Sequence, residues 1–105
     1  MRPEHPAYHV YIVTGLSRSR VIYIGITSNL PARIAAHRLG KSDGFTARYH
    51  LWKLVYAEAF TYARDAIARE KQLKGWKRER KIALIDSLNP RWVELDAPPV
   101  CQPAE

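Results

Sequence analysis

Runs of aromatic and β-branched residues alternate along this chain with segments whose apolar residues recur every three or four positions. Tyr8 to Thr14 and Arg20 to Ile26 are runs of the first kind, and they predict strands because such side chains pack well on a pleated surface. Gly15-Leu16-Ser17-Arg18-Ser19 between them carries turn chemistry, so the pair predicts a β-hairpin. Alternation places His9, Tyr11 and Val13 on one face of the first strand and Tyr8, Val10 and Ile12 on the other. In the second strand Val21, Tyr23 and Gly25 oppose Ile22, Ile24 and Ile26. Tyr11 and Tyr23 therefore share a face, and Gly25 leaves room for a close approach to the backbone.

Helical spacing begins after Thr27. Thr27, Ser28 or Asn29 supplies a cap, Pro31 fits the opening turn where a missing amide proton costs little, and Gly40 stops the helix after about Leu39. Lys41 to His50 is polar and contains glycine, which predicts a loop. Lys53 to Phe60 predicts a third strand. Thr61 is the expected cap of a helix that ends at Gly75, and a last helix from about Lys77 to Leu88 is expected to bury Ile82, Ile85 and Leu88. Asn89-Pro90 terminates it, since proline disfavours a helical residue before it. Trp92 is expected to pack back on the fold. The order is thus strand, strand, helix, strand, helix, helix. Residues 1–7 are an N-terminal extension, residues 8–95 one domain, and residues 96–105 a Pro-rich tail with too little apolar content to order itself.

One carboxylate breaks the pattern. Glu70 falls on the apolar stripe formed by Ala63, Ala66, Ile67 and Leu73, and withdrawing its charge from water costs on the order of several kcal/mol unless a cation or metal compensates. In the first helix, Leu30 and Ile34 define the apolar face, with Arg33 and His37 beside it, four residues apart. A cation, an imidazole and a carboxylate thus border the core. A buried Arg33–Glu70 ion pair that only joins two helices produces the same signal as a catalytic site.

The chain has 105 residues, enough for one core, and 47% are hydrophobic. No apolar stretch approaches the roughly 20 residues that cross a bilayer, and the start lacks the apolar segment of a secretion signal, so no membrane association and a cytoplasmic location are expected. The single cysteine, Cys101, excludes zinc sites built from several cysteines. Lys and Arg number 17 against 10 Asp and Glu, a formal charge of +7 that favours polyanionic partners. Much of that excess lies between Arg69 and Lys81, where a solvated helix face is the alternative to a binding surface.

Val10-Tyr11, then Tyr23-Ile24-Gly25-Ile26-Thr27-Ser28-Asn29-Leu30, Arg33 and His37, then Gly44-Phe45-Thr46-Ala47-Arg48-Tyr49, Arg69-Glu70-Lys71-Gln72-Leu73-Lys74-Gly75-Trp76 and Asn89-Pro90-Arg91-Trp92 occur in an order that resembles the GIY-YIG nuclease domain, in particular its small stand-alone members. The likeness covers about Tyr8 to Leu95. His9 departs from it, standing where the family name has its first glycine. The resemblance implies an α+β fold with a three-stranded antiparallel sheet flanked by three helices, in the order read independently above. It also implies hydrolysis of a phosphodiester with one divalent metal ion.

The residue roles that follow are those of the resemblance. Glu70 holds the ion, magnesium or manganese, a hard cation that keeps several waters and often binds through one or two carboxylates. Tyr11 is the candidate general base, Tyr23 positions water or phosphate, Arg33 relieves developing charge, His37 is a relay or the competing base, and Asn89 holds the geometry. A tyrosine titrates near pH ~10, so a cation must favour its phenolate. Arg48, Lys74 and Lys77 are candidate phosphate contacts. Without the family pattern, Tyr11 and Tyr23 would be core aromatics, Asn89 a helix end, and the lysines surface charge; His5, His9 and His50 receive no role. The function expected is metal-dependent endonucleolytic cleavage of DNA, branched or damaged DNA included, or of RNA. The alternative is a non-catalytic nucleic-acid-binding module of the same fold. A protein partner or homodimer is left open.

Overall fold

A computed structural model describes residues 7–15, 21–41 and 44–96. All but the last residue of the N-terminal extension, most of the hairpin turn and nearly all of the Pro-rich tail lie outside the described residues. Strands β1 (Tyr8–Thr14), β2 (Ile22–Thr27) and β3 (Lys53–Phe60) form one antiparallel sheet in the order β2-β1-β3. Helix α1 (Leu30–Arg38) follows β2, α2 (Gly44–Tyr49) precedes β3, and α3 (Ala63–Lys74) and α4 (Arg78–Leu88) follow it. The order among the described residues is therefore β-β-α-α-β-α-α, and the expected count of three helices is corrected to four. Helix α2 falls within the segment expected to be a loop. Six residues are too few to be helical alone; tertiary packing holds them, with Thr46 buried and its carbonyl accepting from the Leu51 amide at 2.9 Å.

Central placement explains why β1 is almost wholly buried while its neighbours are mixed. Val10, Ile12 and Ile24 face a core completed by Val55, Tyr56, Ala66, Leu73, Ile85 and Trp92. Tyr11 and Val13 face the second core with Leu30, Ile34, Leu51 and Leu54. A bulge separates the two pairings: Ile12 is opposite Tyr56 but Val13 is opposite Leu54, so Val55 is the extra residue. The extra residue lets Val55 and Tyr56 join the first core and sends Leu54 to the second.

Asn29 caps α1, its side chain accepting from the Ala32 amide at 3.1 Å, and Gly40 leaves the helix at φ +70°. Three local expectations are corrected. Tyr62, not Thr61, occupies the N-cap of α3, without a side-chain bond. Ile67 is 43% exposed and Leu88 58% exposed. Ala66 and Leu73 carry the buried face of α3, while after α4 the chain turns at Asn89-Pro90 and returns Trp92 to the core, its indole donating to Asp86 at 2.6 Å.

His9 is buried with its Nδ1 lacking a hydrogen-bond partner, and burial pushes its imidazole below the ordinary range. Below about pH 6.5 the unfolded chain takes up a proton that the folded chain refuses, so folding stability falls as pH decreases from there. Thermal melting between pH 8 and 5 should show this decline, and His9→Gln should flatten part of it. An unchanged slope would assign the decline to other groups.

Candidate active site

Tyr11 stands in the middle of β1 with no exposed surface, and α1 delivers His37 onto the same sheet face because Leu30 and Ile34 anchor that helix there. The Tyr11 Oη and His37 Nε2 share a buried hydrogen bond of 3.0 Å. Tyr23 completes an aromatic triangle, its ring centroid 6.4 Å from that of Tyr11 and 6.0 Å from that of His37. Gly25 permits this packing. A Cβ at that position would lie 2.6 Å from both Cζ and Oη of Tyr11, well inside van der Waals contact.

Glu70 comes from α3, where its neighbour Arg69 is tied to β3. Arg69 donates through Nε and Nη2 to the two carboxylate oxygens of Glu58 on β3, each at 2.9 Å, and through Nη1 to Gln72 at 2.8 Å. The Tyr56 hydroxyl donates to the same Glu58 carboxylate at 2.5 Å. Burial would raise the Glu58 carboxyl, but the bonds from Arg69 and Tyr56 outweigh it and hold it below the usual carboxylate range. Burial and the adjacent carboxylate push the Tyr56 phenol up to about 12. A bidentate guanidinium–carboxylate pair is geometrically specific, so this network pins the α3 turn that carries Glu70.

The Glu70 side chain is 17% exposed and pairs with Lys74 at 3.1 Å. Lys74 in turn lies 5.9 Å from the centroid of the Tyr23 ring, which links the carboxylate to the aromatic triangle. The Arg33–Glu70 pair considered from sequence is not formed: Arg33 is exposed on α1, one turn before His37. Asn89 is buried away from the triangle. Its Nδ2 donates to the carbonyls of Val55 at 3.1 Å and Val93 at 2.8 Å, and its Oδ1 accepts from the Val93 amide at 3.1 Å, so every polar atom of the amide clamps the chain after α4 to β3. Arg48 is exposed on α2 with its guanidinium 5.7 Å from the Tyr49 ring centroid, and Lys77 is the exposed N-cap residue of α4.

A cleft of about 310 Å³ opens at β2, lined by Ile22, Tyr23, Ile24, Phe45, Lys74 and Lys81. Two of these residues escape sequence reasoning. Phe45 lies in the segment that its polarity marks as loop, and Lys81 is one of many cations in the Arg69 to Lys81 run, whose density was the available signal. Among the described residues no three His, Cys, Asp or Glu gather as a metal cage, and no helix is long and apolar enough to cross a membrane.

The arrangement joins a hydrogen-bonded phenol–imidazole pair, a second phenol at a cleft, a carboxylate and several cations. A UPF0213 protein of Staphylococcus haemolyticus is 37% identical over 79 residues, spanning 75% of this chain and 94% of that protein. Another, from Clostridium perfringens, is 39% identical over 79 residues, spanning 75% and 83% respectively. The solution NMR structure of the UPF0213 protein BH0048 from Bacillus halodurans superposes with a TM-score of 0.53 at 26% identity, covering 81% of this chain and 88% of that one. Residues 7–83 match the model of the GIY-YIG catalytic domain, a nuclease-type domain, and a match over that much of the sequence establishes that the chain belongs to the GIY-YIG family.

Proposed function

We propose that this protein is a metal-assisted endonuclease that hydrolyses phosphodiester bonds in DNA. The observation that carries the reading is the buried Tyr11–His37 hydrogen bond behind Tyr23, with Glu70 joined to that ring through Lys74. Passing the Tyr11 proton to His37 leaves a phenolate that accepts a proton from the attacking water. This relay uses both groups that sequence reasoning offered as bases. Tyr11 has no exposed surface, so water reaches it past Tyr23, whose ring lines the cleft and positions the phosphate. As the water oxygen bonds to phosphorus, the bond to the leaving oxygen breaks and that oxygen takes the electron pair. Arg33, Lys74, Lys77 and Arg48 supply positive charge to the phosphate oxygens. Asn89 acts at a distance, holding β3 and the returning chain in register.

Among the described residues the donor set is one hard carboxylate without a cage of His and Cys, which suits a hydrated magnesium or manganese ion. Glu70 would hold the ion, in competition with Lys74, and the bound ion supplies Lewis-acid charge relief at the phosphate and the leaving oxygen.

The Lys74–Glu70 pair also supports a second reading, a nucleic-acid-binding module in which the carboxylate is permanently neutralised. A panel of single-stranded, duplex, flap, junction and RNA substrates, assayed with magnesium, manganese or chelator, separates the two. The endonuclease cuts with metal and stops with chelator. Salt-sensitive binding without cleavage under any metal would establish the module instead, and cleavage that survives chelator would expose a contaminant.

A further inference from the structure

We infer that the cleft at β2 is a nucleotide subsite, in which Phe45 stacks on an unpaired or extruded base while Lys74 and Lys81 hold the adjoining phosphates. This inference rests on the nucleic-acid reading above and adds to it a binding site with its own residues. Phe45 is 45% exposed and Tyr49 46% exposed, yet the two rings touch, with centroids 5.0 Å apart. Keeping two aromatic rings half in water forgoes the burial that normally accounts for them. Phe45 also lies 6.3 Å from Tyr23 with only 31° between the ring planes, so the half-exposed pair continues the aromatic surface of the candidate active site outward along α2.

Among the described residues the charged side chains lining the cleft are the cations Lys74 and Lys81, of which Lys74 is also paired with Glu70 at 3.1 Å. The Arg48 guanidinium lies 5.7 Å from the centroid of Tyr49. Flat aromatic faces interleaved with cations complement a ligand that is itself a flat ring bearing anionic links, which describes a nucleotide within a strand. A base held in a duplex keeps both faces stacked on its neighbours and cannot present one to Phe45, so the subsite takes a base that has left the stack. Tyr23 belongs both to the cleft and to the Tyr11–His37 cluster. The captured nucleotide therefore lies next to the phosphate to be cut.

The test measures binding of the full chain to fluorescein-labelled oligothymidylate and to an abasic oligomer of equal length and charge, in chelator so that no cutting intervenes. The wild type should bind oligothymidylate about tenfold more tightly than the abasic strand, the gain expected from stacking one base. Phe45→Ala should erase that preference and Phe45→Trp should keep it, while Lys81→Ala should weaken both strands alike and lower the salt slope by about one phosphate contact. Circular dichroism shows whether each variant is folded. Equal wild-type affinity for the two strands, or a preference that persists in Phe45→Ala, overturns the subsite while salt-sensitive binding and metal-dependent cleavage leave the nuclease reading standing. Absence of both binding and cleavage defeats the two together.

Discussion

Replacing Glu70 by glutamine should lower the cleavage rate by about 10³-fold or more, a loss of roughly 4 kcal/mol of transition-state stabilisation. The substitution keeps the shape of the side chain and removes its charge, which is the property that holds a hard cation. The cost to folding is small by comparison. The Lys74–Glu70 pair spans one helical turn with a half-exposed lysine, and such pairs contribute about 0.3–0.5 kcal/mol, so the melting temperature should move by only about 2–3 °C for a domain of this size. Rates in magnesium, measured beside thermal melts of the same preparations, check both parts. Full metal-dependent activity in Glu70→Gln would show that another group holds the ion, and loss of activity together with collapse of the melting temperature would show that Glu70 is structural.

Gly25→Ala should be nearly as damaging by a different route. The added methyl would sit 2.6 Å from the Tyr11 hydroxyl oxygen, and Tyr11 has no free space to retreat into because it is fully buried. Overpacking of this kind costs about 1–3 kcal/mol, or roughly 5–20 °C in melting temperature. Any shift of the ring disturbs its bond to His37, and a displacement of about 1 Å at a reacting group is worth on the order of 100-fold in rate. Melting curves and single-turnover rates at a temperature where the variant is folded separate the two effects. A variant that loses stability and keeps its rate would mean that the Tyr11–His37 bond is not part of the chemistry.

Both predictions combine what the chain announces with what it conceals. Glu70 was identifiable because it falls between Ala66 and Leu73 on an otherwise buried face, and the structure does leave it only 17% exposed. Its partner was misjudged: the sequence argument turned to Arg33 on another helix, whereas the structure pairs Glu70 with Lys74, its i+4 neighbour on α3. Gly25 could be recognised as a place of close approach, but not that the approaching group is the Tyr11 phenol. Asn89 shows the limit in another form: its hydrogen bonds are structural clamps to Val55 and Val93, 34 and 4 residues away, and no local pattern foretells them.

Helix α2 and the β3 bulge share a physical cause. A six-residue helix has too few internal hydrogen bonds to stand alone, and a bulge is one extra residue whose place depends on the pairing strand; neither leaves a periodicity to read. The strands, a cap among Thr27, Ser28 and Asn29, the helix stop at Gly40, and the excess of positive charge were determined by the sequence by itself, because alternation, capping and charge act between residues close along the chain. The tertiary structure decided that Tyr11 meets His37 across 26 residues, that Lys74 links Glu70 to Tyr23, and that Phe45 borders the cleft. Those contacts exist only after two cores have been packed on opposite faces of one sheet, and the energy that selects them is that of burial, not of local backbone preference.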